Sequence, residues 1–266
     1  MVNKNIAIIQ ARTTSVRLPG KVLLKINGLP VIEILYRRLK KSKKLKDIII
    51  ATTKKSTHLI KFLKKKKIKY FIGSDKNVLS RYYKTALKFK ADNIVRITAD
   101  GILADPKLID NFLKLYEKKK VDYLSNLDPV TYPDGLDIEI FNFKTLKYAY
   151  KNAKKMYDKE HVTPFIINSV RNKKYNVSNT DNYSKVRLTL DEQEDYETLK
   201  KIFNYFKPNI YFGWKKIVLL LNKNKKYQLN SHLQRNEGSK MTITKKLWKR
   251  AKKIIPGGNM FLSKRL

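Results

Sequence analysis

From Asn5 to Lys119 the chain alternates short apolar runs with longer segments whose apolar residues recur at helical spacing. Nothing else restricts the fold as strongly. The runs "NIAIIQ" (5–10), "DIIIAT" (47–52), "IKYFIGS" (68–74) and "NIVRITAD" (93–100) are short and mostly rich in β-branched residues, which predicts strands. Between them, "PVIEILYRRLKK" (30–41) places Val31, Ile34, Leu35 and Leu39 on one helical face. "THLIKFLKKKK" (57–67) and "NVLSRYYKTALKFK" (77–90) repeat that pattern, the latter with Val78, Leu79, Tyr82 and Leu87. "DPKLIDNFLKLYEKK" (105–119) opens with Asp105 at an N-cap and Pro106 in the first turn. Repeated β-α-β units of this length predict an α/β fold: a mainly parallel sheet, right-handed crossovers, helices on its faces.

The alternation loosens after Tyr123. "LDIEIFNF" (136–143) reads as a strand from the spacing of Leu136, Ile138 and Ile140, with helices expected from about Phe143 and from Glu160. Ser74 and Asp75 are expected to cap the 77–90 helix. Short strands are expected near "KYNVSN" (174–179) and "KVRLTL" (185–190). "DEQEDYETLKKIFNYF" (191–206) is a helix with Glu192, Glu194 and Asp195 near its positive N-terminal end. Ligands of open parallel sheets bind beyond the carboxyl ends of the strands, so 10–21, 51–57 and 98–105 are the stretches where a site belongs.

At 266 residues and 42% hydrophobic the chain can fill the core of one such domain. No run approaches the ~18–20 apolar residues of a membrane span, and the N-terminus lacks the pattern of a signal peptide, so the cytoplasm is the expected compartment. The absence of cysteine excludes disulfides and thiolate chemistry, and three scattered histidines do not suggest zinc. The formal charge of +38 is nearly all lysine spread over helix faces; only 11 of 60 basic residues are arginine. That pattern speaks for anionic ligands rather than for dedicated nucleic-acid reading.

The first of those stretches, "QARTTSVRLPGK" (10–21), gathers Arg12, Arg17 and Lys21 among small hydroxylated residues and a Pro-Gly bend. Its spacing fits neither the G-x-x-x-x-G-K-[S/T] phosphate loop nor the G-x-G-x-x-G dinucleotide turn. Backbone N–H groups plus three cations can cradle a polyphosphate; a plain basic surface loop is the alternative.

"IIQARTTSVRLPGKVL" resembles the signature of the spore-coat-polysaccharide (SpsF-type) cytidylyltransferase family, kin to the CMP-ketodeoxyoctonate and CMP-neuraminate synthetases. "GSDKNVLSRYY" (73–83), "VRITADGILADP" (95–106), "YPDGLDIEIF", "EHVTPFI", "VRLTLDEQEDYE" and "HLQRNEG" match further family segments in order, over roughly residues 4–238. The resemblance implies a nucleotide-diphospho-sugar transferase-like, Rossmann-like α/β fold and Mg²⁺-dependent transfer of CMP from CTP to an anionic sugar-like acceptor. It implies that Ala11, Arg12 and Ser15 meet the nucleotide, that Arg17 and Lys21 neutralise phosphates, and that Asp100 is the principal metal carboxylate. Asp191 is either a second metal ligand or a helix N-cap. Thr52 and Thr53 either line the base pocket or form a turn, and Arg81 either faces the nucleotide or is a solvated helix arginine. Asp137 and Glu139, on one face of a strand, border the acceptor or support a dimer. His161 contacts the acceptor or is structural, and Arg187 grips an anionic acceptor or pairs with an acid. A homodimer through 132–165 is also implied. The family's G-D-C-P-L reads here Ala99-Asp100-Gly101-Ile102-Leu103, where Gly101 is expected to loosen the loop and Ala99 to be a poor substitute for glycine.

Residues 239–266, basic and amphipathic, resemble the opening of glutamate-semialdehyde-aminomutase-like aminotransferases. They are expected to begin a truncated fused domain, or to mark an aminotransferase partner, beyond a cytidylyltransferase domain at 1–238. A glycosyltransferase of similar fold and a non-catalytic polyanion-binding protein are the rival functions.

Overall fold

The computed structural model describes residues 3–235. In chain order it contains β1 (Asn5–Gln10), a 3-10 turn at Lys21–Leu23, the small hairpin β2 (Lys25–Ile26) and β3 (Leu29–Pro30), and α1 (Val31–Leu39). Then come β4 (Asp47–Thr53), α2 (Thr57–Lys65), β5 (Tyr70–Gly73), α3 (Val78–Lys88), β6 (Asn93–Thr98) and α4 (Pro106–Lys119). The second half supplies β7 (Tyr123–Ser125), β8 (Glu139–Asn142), α5 (Phe143–Asn152), α6 (Met156–His161), α7 (Pro164–Asn168), β9 (Lys174–Asn176), α8 (Gln193–Phe206) and α9 (Trp214–Lys223). The main sheet has the order β5-β4-β1-β6-β8-β7-β9, and only β8 runs against its neighbours. Residues 3–230 fall in one compact unit; the described part of a second unit, 231–235, forms turns and a bend.

β1 is central, with both its edges paired in parallel, to β4 and β6, and each of its faces packed into a core. Ala7 and Ile9 enter one core and Ile6 and Ile8 the other, which explains the unbroken apolar run. Parallel pairing continues one residue further: Ala11 N–H donates to the Ala51 carbonyl at 3.1 Å and Ala99 N–H to that of Gln10 at 3.2 Å. The chain therefore leaves β1, β4 and β6 at one edge.

Asp105 caps α4 as expected, accepting from the N–H groups of Lys107 and Leu108, and its second oxygen accepts from Trp214 N–H at the start of α9. The cap of α3 is Asn77 rather than Ser74 or Asp75; Ser74 Oγ accepts from Asn77 N–H. The strand expected over 136–143 pairs only from Glu139, because the Asn126 side-chain amide takes the Leu136 carbonyl and the Ile138 N–H for itself. Residues 185–190 join no ladder and make a single bridge, Arg187 to Asp134. The helix expected from Glu160 instead begins at Met156 and ends at His161: Val162 turns to φ +74°, and Pro164 starts α7 at its first turn, where a missing N–H costs nothing. The tail at 239–266 lies outside the described residues.

Arg38 shows what a buried cation needs here. Its guanidinium donates to the carbonyls of Ala104, Ile210, Leu103 and Phe212 and is 1% exposed, tying α1 to the loops before α4 and α9. Burial lowers its pKa to about 10. Buried carbonyls left without a donor cost about 1–3 kcal/mol each. Arg38→Met should therefore lose at least ~2 kcal/mol in urea unfolding; wild-type stability in that variant would mean that water reaches all four carbonyls.

Candidate active site

The loop after β1 is closed on itself. Thr13 N–H donates to Ser56 Oγ at 3.1 Å, and Gly20 N–H donates to the Thr13 carbonyl at 3.0 Å. Gly20 sits at φ +68°, a conformation glycine adopts without a steric penalty. This places Lys21 at the head of the 3-10 turn, with Val22 buried beneath. From there Lys21 Nζ donates to Asp191 Oδ1 at 2.6 Å and to the Leu190 carbonyl at 2.8 Å, and lies 3.5 Å from Asp100 Oδ2. Arg17 joins from the loop: Nη2 lies 3.0 Å from Asp191 Oδ2 and Nη1 3.3 Å from Glu192 Oε1. The structure thus brings Arg17, Lys21, Asp100 and Asp191 into one cluster.

Asp191 is not a cap. Glu192 caps α8, in a capping box with Asp195. Burial opposes the Lys21 ammonium, but Asp100 and Asp191 outweigh it and hold its pKa above the usual lysine value. Burial likewise opposes the Asp191 carboxylate, but Lys21, Arg17 and Arg187 pull its pKa below the usual range. Each partner shifts toward its charged form, as a true ion pair requires.

Two carboxylates converging on one cationic atom are a hard-oxygen donor set. Among the described residues no three His, Asp or Glu side chains form a cage. Such a pair fits Mg²⁺, which commonly takes one or two carboxylates and completes its shell with substrate phosphates and water.

The altered neighbours of Asp100 do not loosen it. Ala99 is not among the residues with positive φ. Gly101 is required by space: a Cβ there would lie 2.8 Å from the Gly135 carbonyl oxygen. Gly135, at φ +94°, would itself collide with the Leu188–Thr189 backbone at 2.7 Å. Leu190 N–H donates to the Asp100 carbonyl at 3.0 Å, so three strands of irregular backbone are pressed together under the two carboxylates.

On the other side of the loop Arg12 is exposed and Ser15 half-buried, while Ala11 is buried with its N–H already engaged. Thr52 and Thr53 are buried in β4 and form no turn; the Thr52 hydroxyl has no partner among the described residues, and Thr53 Oγ1 lies 3.4 Å from Ser56 Oγ. Arg81 is not a solvated helix arginine. It is 2% exposed, lies against Gly73, and donates from Nη1 to the Ser74 carbonyl at 2.7 Å, with Nε unpartnered. Burial lowers its pKa and the nearby Arg12 charge adds to that.

The acceptor-side expectations divide. Asp137 is half-buried and precedes β8, so it does not share a strand with Glu139. Glu139 is 2% exposed, accepts from Tyr123 Oη at 2.7 Å and pairs with Arg96, so both oxygens hold the sheet together instead of facing a ligand. His161 ends α6 with its ring against Tyr157. Arg187 is buried among acids, bidentate to Asp195 and 3.1 Å from Asp134, rather than offered to an acceptor. The sequence reading passed over Asp134 and Asn230 as site-forming residues, named Gly135 only within the acceptor-side segment "YPDGLDIEIF", and took Glu192 and Asp195 only as helix-end charges. The capping-box spacing could have found Glu192 and Asp195; nothing local marked the others.

The family model for cytidylyltransferases matches residues 6–239. A Methanocaldococcus jannaschii protein described as uncharacterised is 40% identical over 208 residues, 76% of this chain and 84% of that protein. The spore coat polysaccharide biosynthesis protein SpsF of Bacillus subtilis is 30% identical over 237 residues, 84% and 96% of the two chains. Among solved structures, a cytidylyltransferase from Leptospira borgpetersenii superposes with a TM-score of 0.81 at 32% identity, covering 86% of this chain and 98% of that one. A CMP-2-keto-3-deoxy-manno-octonic acid synthetase shares the fold, with a TM-score of 0.60 at 16% identity over 76% and 99% of the chains.

A depressed carboxylate pKa contributes stability above its unfolded value, and that contribution is lost as pH falls through the folded one. The raised Lys21 contributes at all pH below the ordinary lysine value and is lost only in strong alkali. In chelator, Asp191→Asn should lower stability by about 1 kcal/mol at neutral pH. The gap should begin to narrow as pH falls below about 4, the ordinary aspartate value, and close only once pH has passed below the depressed pKa of the folded carboxylate. A gap that stays constant throughout the acid range would trace the loss to shape instead of charge.

Proposed function

The chain belongs to the cytidylyltransferase family, and from that premise we propose that it transfers CMP from CTP to an anionic sugar-like acceptor, releasing pyrophosphate, in cytoplasmic synthesis of a surface polysaccharide. One observation carries the reading: Arg17 and Lys21, delivered by the loop after β1, meet Asp100 and Asp191 at the carboxyl edge of the sheet. A polyphosphate needs cations on one side and metal carboxylates on the other, and this edge offers both. The family membership favours this reading over the glycosyltransferase and polyanion-binding alternatives.

Asp100 and Asp191 would hold Mg²⁺, which when bound screens the α-phosphate and the departing pyrophosphate. Until then Lys21 bridges the two carboxylates and keeps them from repelling each other. As the triphosphate enters, Lys21 and Arg17 exchange these carboxylates for phosphate oxygens. The acceptor oxygen attacks the α-phosphorus in line, and the bond to the β-phosphate oxygen breaks. Arg12 and Ser15 face the nucleotide, with the buried Arg81 supporting that side through the Ser74 carbonyl, Thr52 and Thr53 shaping the floor and Ala11 fixing the loop's exit from β1. Asp137 and His161 stand on the acceptor side. A homodimer through 132–165 is supported by Met156 and Tyr157, 63% and 61% exposed in that segment.

Thermal shifts measured with four nucleoside triphosphates and Mg²⁺ should show the largest stabilisation with CTP. Asp100→Asn and Lys21→Ala should each remove most of it, and Lys21→Ala should lower acceptor-dependent pyrophosphate release about 10²–10³-fold. Equal shifts with all four nucleotides would overturn the cytidine assignment, and unchanged CTP shifts in both variants would overturn the site.

A further inference from the structure

Asp195 is 0% exposed and its carboxylate is saturated. Oδ2 accepts from Asp191 N–H at 2.9 Å, Glu192 N–H at 2.9 Å and Arg187 Nη2 at 2.8 Å. Oδ1 accepts from Arg187 Nε at 2.8 Å and Asn230 Nδ2 at 2.7 Å. A helix cap explains the first two of these contacts and no more. Arg187 Nη1 also lies 3.1 Å from Asp134 Oδ2, so one buried guanidinium joins the two acids. Arg187 and Asp134 meet at a backbone bridge, and the adjoining Gly135 is wedged between Gly101 and Leu188–Thr189. The same cluster therefore touches the backbone that carries Asp191 and, through Gly135, the backbone that carries Asp100.

We propose that Asp195, charge-paired with Arg187, is a positioning residue that presets the backbone of Asp191, and so its distance to Asp100, for a divalent cation and the phosphates it brings. Asp195 touches neither. It fixes the two N–H groups flanking the Asp191 side chain, so the carboxylate cannot swing away when Lys21 leaves it. This rests on Asp191 being a metal carboxylate, as proposed above.

The test is a Mg²⁺ titration of the CTP-dependent thermal shift, a binding readout independent of turnover. If wild-type protein gives no such shift, the functional reading fails, and the positioning role falls with it. Given a wild-type shift, Asp195→Asn should raise the Mg²⁺ concentration for half-maximal stabilisation about 10–100-fold, the usual effect of removing an outer-shell partner. Asn230→Ala, which removes one donor of the five, should move it the same way by less, and it decides the question should Asp195→Asn not fold. Ile202→Val, in the buried face of α8, should lower Tm and leave the Mg²⁺ midpoint unmoved. A folded Asp195→Asn, or failing that Asn230→Ala, with the wild-type midpoint overturns the proposal. So does a midpoint that Ile202→Val shifts equally.

Discussion

The ammonium of Lys21, set between Asp100 and Asp191, is the contact on which the rest of this edge is organised. Two carboxylates brought this close and partly out of water would repel and drift apart without a cation between them. Lys21 supplies that cation from a loop held by Ser56 and turned by Gly20, so the geometry of the pair depends on how β1 ends. The same arrangement makes the site exchangeable. A lysine is a point charge on a flexible stem, able to leave the carboxylates for a phosphate.

Beneath that contact the protein uses a second, closed set of charges. Arg187 pairs in the interior with Asp134 and Asp195, and Asn230 donates to Asp195 and to the Arg187 carbonyl. Burying such a group is costly unless every partner is present, and it adds little stability over an apolar substitute. What it gains is a fixed backbone at 190–192. The glycine stack of Gly101 and Gly135 serves the same end by close approach, since neither position has room for a Cβ. Cations on flexible stems sit above buried ions locked in place.

Legibility followed the range of the interactions. β1, α1, β4, α2, β5, α3, β6 and α4 were readable because each carries its own periodicity and capping, and their parallel order follows from the connections. Past Tyr123 the readings failed where a distant side chain intervened: Asn126 captured the backbone that would have lengthened β8, and Asp134 took the residue expected in a strand at 185–190. β7, the β2–β3 hairpin and α9 were also passed over. The first two are too short for a periodic signal, whereas α9 carries one in "WKKIVLLLNK".

By itself the sequence determined the alternating architecture, the edge at which ligands of such a sheet belong, and the cations gathered there. These rest on local periodicity, on chain connectivity and on charges counted along one short loop. Only the tertiary structure decided that Asp191 pairs with Lys21 and does not cap α8, that Glu139 and Arg187 are inward-facing ions, and that Gly101 tightens its loop. A carboxylate looks the same in a sequence whether it faces water, a cap or a buried guanidinium. Which it meets depends on residues up to about 170 positions away, brought near only when the sheet and its irregular loops have closed.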